Sequence, residues 1–190
     1  MVTGKIALSG IYENILGPGK RLIIWLQGCD RGCTGCQSTH FAKFLPFEDI
    51  QIKIDSLFEE AVQAECTGIT ISGGEPFAQS NVIDYIVSLI KAHNEECNNK
   101  IDILVYTGYT YEELLPKYQN LLRRIDVLID GPFVNSLNDG KGLRGSSNQR
   151  MLFLTDKKEK LKPMYEDVPA IRNQVIDFVD GRFVLIGLKN

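Results

Sequence analysis

Short apolar runs alternate with segments of helical periodicity along most of the chain, and this alternation limits the possible folds more than any other feature. Residues 21–27 (RLIIWLQ) form a compact apolar run ending at Gly28, which reads as a buried strand. Ile54, Leu57, Phe58, Ala61 and Val62 then fall at i, i+3, i+4, i+7 and i+8, the spacing of an amphipathic helix. A second strand, 68–71, is followed by Val82, Ile83, Ile86, Leu89 and Ile90 with the same helical spacing. A third strand at 101–106 leads to Thr110, a plausible N-cap with Glu113 three residues on, opening a helix that Pro116 shortens or bends. Residues 125–130 (IDVLID) make a fourth strand. Strands joined through helices pair in parallel by right-handed crossovers, so the expected fold is α/β, either an open layer or part of a barrel.

Ligands in such folds collect at the carboxyl ends of the strands. The unusual residues of this chain fall there: three cysteines after the first strand, SGGEP after the second, Thr107 and Gly108 after the third, Asp130 and Gly131 after the fourth. Residues 131–150 are rich in Gly, Asn and Ser and read as a long loop, and 156–162 (DKKEKLK) as a charged, solvated connector. In the tail, VIDFVDGRFVLIGL places Asp180-Gly181 between alternating apolar residues, a hairpin signal.

With 190 residues, 44% hydrophobic and 24% charged, the chain can bury one core without staples. A net charge of −3 gives no electrostatic reason to expect nucleic acid or an anionic membrane as partner. No apolar run approaches the roughly 20 residues of a bilayer span, and no secretory leader is visible, so the expectation is a cytoplasmic protein. Five cysteines, three of them within eight residues, argue against a disulfide framework.

Those three, Cys29, Cys33 and Cys36, stand in a C-x-x-x-C-x-x-C arrangement on a loop carrying glycines at 28, 32 and 35. Thiolates are soft ligands for iron-sulfur clusters and zinc. A structural zinc site normally has four protein ligands, and an electron-transfer cubane four cysteines. Three ligands would hold a cubane with one iron open to a small molecule. The rival is zinc with His40 as fourth ligand. Cys66 and Cys97 have no partner nearby in sequence and read as small buried hydrophobes.

This spacing resembles the radical S-adenosylmethionine superfamily. SGGEP at Ser72, Gly73, Gly74, Glu75 and Pro76 resembles that superfamily's glycine-rich motif, which holds the amino group of the cofactor's methionine part. Its chemistry is sensible, since consecutive glycines expose backbone and Glu75 can accept from an ammonium. YTGYTYEEL at 106–114, DVLIDGPF at 126–133, RGSSNQR at 144–150 and Gly35 before the last cysteine resemble the anaerobic ribonucleotide reductase activating proteins, over about residues 10–154. The WLQGC lead-in and residues 155–190 depart from that pattern.

The resemblance implies a partial (β/α) barrel with a core domain over 1–154; residues 155–190, which it does not cover, are expected as a C-terminal, hairpin-like extension packed on that core. It implies a 4Fe-4S cluster on Cys29, Cys33 and Cys36, and S-adenosylmethionine held by Ser72, Gly73, Gly74 and Glu75. Tyr106, Thr107 and Gly108 would line the nucleoside side, with Asn148, Gln149 and Arg150 near the cofactor or the partner. The implied reaction is reductive cleavage to a 5′-deoxyadenosyl radical, which takes a hydrogen atom from a glycine of a partner glycyl radical enzyme. A low-potential donor such as flavodoxin or ferredoxin would supply the electron, and no side chain need act as acid or base. Two alternatives stay open on sequence: a radical enzyme modifying a small molecule or peptide, and a noncatalytic iron-sulfur or zinc module.

Overall fold

A computed structural model describes residues 1–166, 172–179 and 182–189. In chain order the elements are β1 (Thr3–Gly4), β2 (Ile6–Glu13), β3 (Lys20–Leu26), β4 (Glu48–Asp49), α1 (Gln51–Gln63) and β5 (Gly68–Gly73). There follow α2 (Ser80–Glu96), β6 (Asp102–Tyr106), α3 (Tyr111–Leu122), β7 (Val127–Asp130), β8 (Arg150–Phe153), α4 (Lys158–Glu166), β9 (Val175–Val179) and β10 (Arg182–Ile186).

Among the described residues the main sheet has six strands in the order β2-β3-β5-β6-β7-β8. The four central strands, β3, β5, β6 and β7, are parallel and are those expected from the apolar runs. The α/β class therefore stands, but the sheet is mixed, because β2 and β8 pair antiparallel at its two edges. Both fell outside the sequence expectation. β2 (IALSGIYE) is interrupted by Ser9-Gly10, and β8 is a four-residue strand at the end of a Gly- and Ser-rich stretch.

The alternation of side chains along a strand divides the core in two. Leu22, Ile24 and Leu26 of β3 face α1, α2 and α3, where Ile54, Ile83, Ile86 and Leu121 close over them. All three crossover helices lie on this face, as right-handed crossovers advancing in one direction along a sheet require. Ile23 and Trp25, with Leu104, Val127 and Ile129, point the other way. That face would be open apolar surface but for Leu143 of the 131–150 loop, Leu161 and Tyr165 of α4, and Ile186 of β10.

Residues 158–166, partly expected to be a solvated connector, are thus a helix with a buried side. Leu161 and Tyr165 lie four residues apart and form one apolar stripe on an otherwise charged helix. Tyr165 Oη donates to Asp102 Oδ1 at 2.7 Å, and Asp102 takes the Arg21 guanidinium at 2.7 Å. Arg21 is fully buried and also donates to Thr70 Oγ1 and to the Ile69 and Pro18 carbonyls, so its charge is paired and its donors are used.

β9 and β10 pair antiparallel as the tail pattern predicts, while the expected turn, Asp180-Gly181, lies outside the described residues. The Thr110 capping box forms, with Glu113 N to Thr110 Oγ1 at 3.3 Å and Thr110 N to Glu113 Oε2 at 2.6 Å. α3 is kinked at Tyr118, two residues past Pro116.

Candidate functional site

β3 ends at Leu26 and the chain leaves the sheet through Gly28 at φ +106°, where a Cβ would lie 2.4 Å from the Phe44 ring. The loop then folds back on itself. Gly28 N and Cys29 N donate to the Phe41 and Ala42 carbonyls at 2.7 and 2.9 Å, and Cys36 N donates to Cys33 O at 3.2 Å. Cys29, Cys33 and Cys36 come to line one cavity, each partly exposed. Two thiols receive backbone donors, Arg31 N to Cys29 Sγ at 3.4 Å and Ser38 N to Cys36 Sγ at 3.3 Å. Donors to sulfur stabilise thiolate and tune any metal it binds. Partial burial works the other way on Cys29 and pushes its thiol up.

The SGGEP turn forms the facing wall, because β5 runs parallel to β3 with Trp25 opposite Ser72 and Leu26 opposite Gly73. Gly74 N donates to Leu26 O at 2.7 Å and Glu75 N to Gly28 O at 2.8 Å, which seats the turn directly on the base of the cysteine loop. A Cβ at Gly74 would stand 2.1 Å from Gly28 O, so only glycine allows this approach.

Glu75 is buried, and its carboxylate is a hub. Oε1 accepts from Phe77 N at 3.0 Å and Thr107 Oγ1 at 2.8 Å, and Oε2 accepts from Gly108 N at 2.8 Å. Burial raises its pKa to about 7 against the opposing pull of these donors. Glu75 thereby ties the turn after β5 to the turn after β6, where Thr107 and Gly108 line the cavity beside Tyr106. Tyr106 donates from its hydroxyl to Leu143 O at 2.8 Å, which ties the 131–150 loop to β6.

Of the residues singled out in sequence, twelve line this cavity together: Cys29, Cys33, Cys36, Ser72, Gly73, Gly74, Glu75, Tyr106, Thr107, Gly108, Gly131 and Gln149. Asn148 does not. It is exposed and donates to Pro132 O at 2.8 Å, while its neighbour Gln149 is buried and forms part of the wall. Arg150 is engaged with Asp130 and Glu112. Cys66 is buried in the core and Cys97 is partly exposed at the end of α2. Sequence reasoning missed Arg31, Gln37 and Leu188 in the cavity wall. Arg31 lies 4.2 Å over the Tyr109 ring, whose hydroxyl donates to Asp30 at 2.7 Å. This pairing with Asp30 pushes the Tyr109 hydroxyl up to about 12.

The donor set is three thiols, soft ligands that suit an iron-sulfur cluster. Among the described residues no group of three or more His, Cys, Asp or Glu is close enough to hold one metal ion, although three thiols share the cavity. His40 does not line the cavity and packs tilted against Phe41, with ring centroids 3.9 Å apart and planes at 60°, so it is not placed to complete a zinc tetrahedron with the thiols.

An α/β sheet that delivers three thiols and a glycine-rich turn to one cavity at the carboxyl ends of its parallel strands defines an iron-sulfur protein with room for a cofactor beside its sulfurs. Comparison with known proteins agrees: a family model described as "4Fe-4S single cluster domain" matches residues 15–152. The anaerobic ribonucleoside-triphosphate reductase-activating protein of Haemophilus influenzae is 36% identical over 141 residues, covering 71% of this chain and 88% of its own length. That of Enterobacteria phage T4 is 33% identical, covering 74% and 88%. A pyruvate formate-lyase-activating enzyme of Streptococcus mutans is 26% identical over all of this chain and 74% of its own. The chain belongs to the family of radical S-adenosylmethionine activating enzymes. It is an oxidoreductase-type enzyme whose cofactors are a 4Fe-4S cluster and S-adenosylmethionine.

Proposed function

We propose that this chain installs a glycyl radical on an anaerobic ribonucleoside-triphosphate reductase, with Cys29, Cys33 and Cys36 as the ligands of its cluster. The observation that carries this reading is the single cavity shared by the three thiols, the SGGEP turn and Thr107-Gly108, in a chain similar to activating proteins of that reductase. Held by these three thiolates, the cluster would supply the electron for reductive cleavage of S-adenosylmethionine, and with it the chemistry for taking a hydrogen atom from a glycine Cα of the reductase.

The chain's own residues bind, orient and exclude water. Ser72, Gly73 and Gly74 present main chain to the cofactor's ammonium, and Glu75 places negative charge directly behind them. An approaching ammonium favours the ionised carboxylate and draws its pKa back down. Tyr106, Thr107 and Gly108 bound the nucleoside side, and Asn148 acts from the rim by fixing the loop that carries Gln149. The two faces of the sheet differ in cover, and we propose that the sheet is the partial (β/α) barrel of this superfamily, its inner face being that of Trp25 and Tyr106. Residues 1–154 would form the core domain and 155–190 an extension that completes that inner face.

A low-potential flavodoxin or ferredoxin is the proposed donor and the cytoplasm the proposed compartment. Among the described residues no helix is long and apolar enough to cross a membrane. The test is anaerobic reconstitution, followed by dithionite, S-adenosylmethionine and the reductase of the same organism. A glycyl-radical resonance on the reductase, formed together with 5′-deoxyadenosine, is expected. Cofactor cleavage without any radical on the reductase would assign the chemistry to another target.

A further inference from the structure

The C-terminal hairpin lies outside the residues matched by the cluster-domain model, which end at 152, yet it borders the reaction cavity. Leu188 lines the cavity, and Lys189 N donates to Gln37 Oε1 on the cysteine loop at 3.0 Å. A second groove of about 430 Å³ lies between β10 and residues 37–41, and it shares Cys36, Gln37, Ser38, Ser72 and Leu188 with the cavity. The two therefore adjoin across these residues. A groove of this size holds side chains and main chain of a polypeptide segment rather than an ion.

Three features of this groove suit an extended polypeptide. Every residue from Phe183 to Lys189 borders it, so both faces of β10 meet the groove along the strand's edge. Among the described residues β10 pairs with β9 alone, which leaves that edge able to receive another strand. Second, Gln37 Nε2 is buried where groove and cavity meet and has no hydrogen-bond partner among the described residues. A buried donor left unsatisfied is costly, and a main-chain carbonyl would satisfy it.

Third, the hairpin carries apolar side chains on the face turned away from the core. The register pairs Ile176 with Leu185 and Phe178 with Phe183, so these four share one face, and all four are exposed, Phe183 by 79%. The opposite face is the one that packs: Asp177 accepts from Tyr12 Oη at 2.6 Å, and Ile186 is buried in the core. Of these four, Phe183 and Leu185 border the groove, and large exposed apolar groups there mark a binding surface.

We propose that the C-terminal hairpin is the target-docking element: an extended segment of the protein substrate lies against the β10 edge, with a main-chain carbonyl on Gln37 Nε2 and apolar side chains on Phe183 and Leu185, and so leads its glycine-bearing stretch into the cavity. This rests on the proposed function, and it commits to the protein substrate as occupant because the groove shares its wall, Cys36 included, with the cavity where that substrate must react.

The test uses the reconstituted full chain and the anaerobic ribonucleoside-triphosphate reductase of the same organism as probe. The double variant Phe183→Asp/Leu185→Asp should bind the reductase about tenfold or more weakly. Its dithionite-driven cleavage of S-adenosylmethionine without reductase should match wild type, and saturating reductase should restore its glycyl radical yield. Ile176→Asp, on the same face but outside the groove, should bind like wild type. Unchanged affinity in the double variant, or an equal loss in Ile176→Asp, overturns the docking assignment. A dimer that the double variant dissociates with unchanged reductase affinity overturns it also, and makes the face a contact between copies of this chain. A wild-type protein that cleaves the cofactor but never binds the reductase refutes the proposed target itself, and the docking assignment with it.

Discussion

Glu75 joins two strand-end turns through one buried carboxylate, and its protonation should be visible in stability. Its pKa is about 7 in the folded protein, against an unfolded value near 4.5. The folded state then binds the proton more tightly than the unfolded state, so Glu75 costs least below about pH 4.5, and stability falls as pH rises towards and through 7. The span is on the order of 3 kcal/mol. Urea midpoints of the cluster-free protein at pH 5 and pH 8 should show this loss, and Glu75→Gln should flatten it; an unchanged slope in the variant would place the titration elsewhere. The residues that build this site were legible from their chemistry: thiols at compact spacing, paired glycines, one carboxylate. Arg31 and Gln37 were not, because nothing in a sequence shows which polar side chains on a loop turn inward. Sequence does not separate Asn148 from Gln149, whereas the fold turns Asn148 outward and Gln149 into the wall.

At the scale of elements, α4 is held by one polar bond as well as its apolar stripe. Tyr165→Phe removes the donor to Asp102 and should cost about 1–2 kcal/mol. Asp102→Ala leaves the Arg21 guanidinium buried without its partner and should cost about 3–5 kcal/mol. Denaturant unfolding separates the two, and equal effects would mean that the ion pair is not what Asp102 contributes. The central strands were readable because strands buried on both faces are continuous apolar runs. α4 was obscured by its charged residues and Pro163, since Leu161 and Tyr165 mean little until the sheet face they cover is known. The edge strands β2 and β8 were lost for a related reason: edges are short or interrupted, and their pairing is set by the strands beside them.

The molecule is layered: helices on one face of the sheet, C-terminal segments on the other, and the reactive cavity at the carboxyl ends of the parallel strands. Hydrogen exchange should follow that layering. Amides of Ile69–Ile71 and Leu104, in the middle of the sheet, should exchange slowest, and those of 175–179 and 183–186, on a two-stranded ribbon with one exposed face, much sooner. Equal protection would mean that the hairpin unfolds only with the core. The sequence alternation foretold the parallel layer but not its asymmetry, because the cover of the second face comes from residues far away along the chain.

Three thiols share one cavity, and the direct measurement of what they hold compares anaerobically reconstituted wild type, Cys33→Ala and Cys97→Ala for iron content and for dithionite-driven release of 5′-deoxyadenosine. One four-iron cluster per chain and cofactor cleavage are predicted in wild type and Cys97→Ala, with both lost in Cys33→Ala. A Cys33→Ala protein that keeps cluster and cleavage, or a Cys97→Ala protein that loses them, would contradict the assignment.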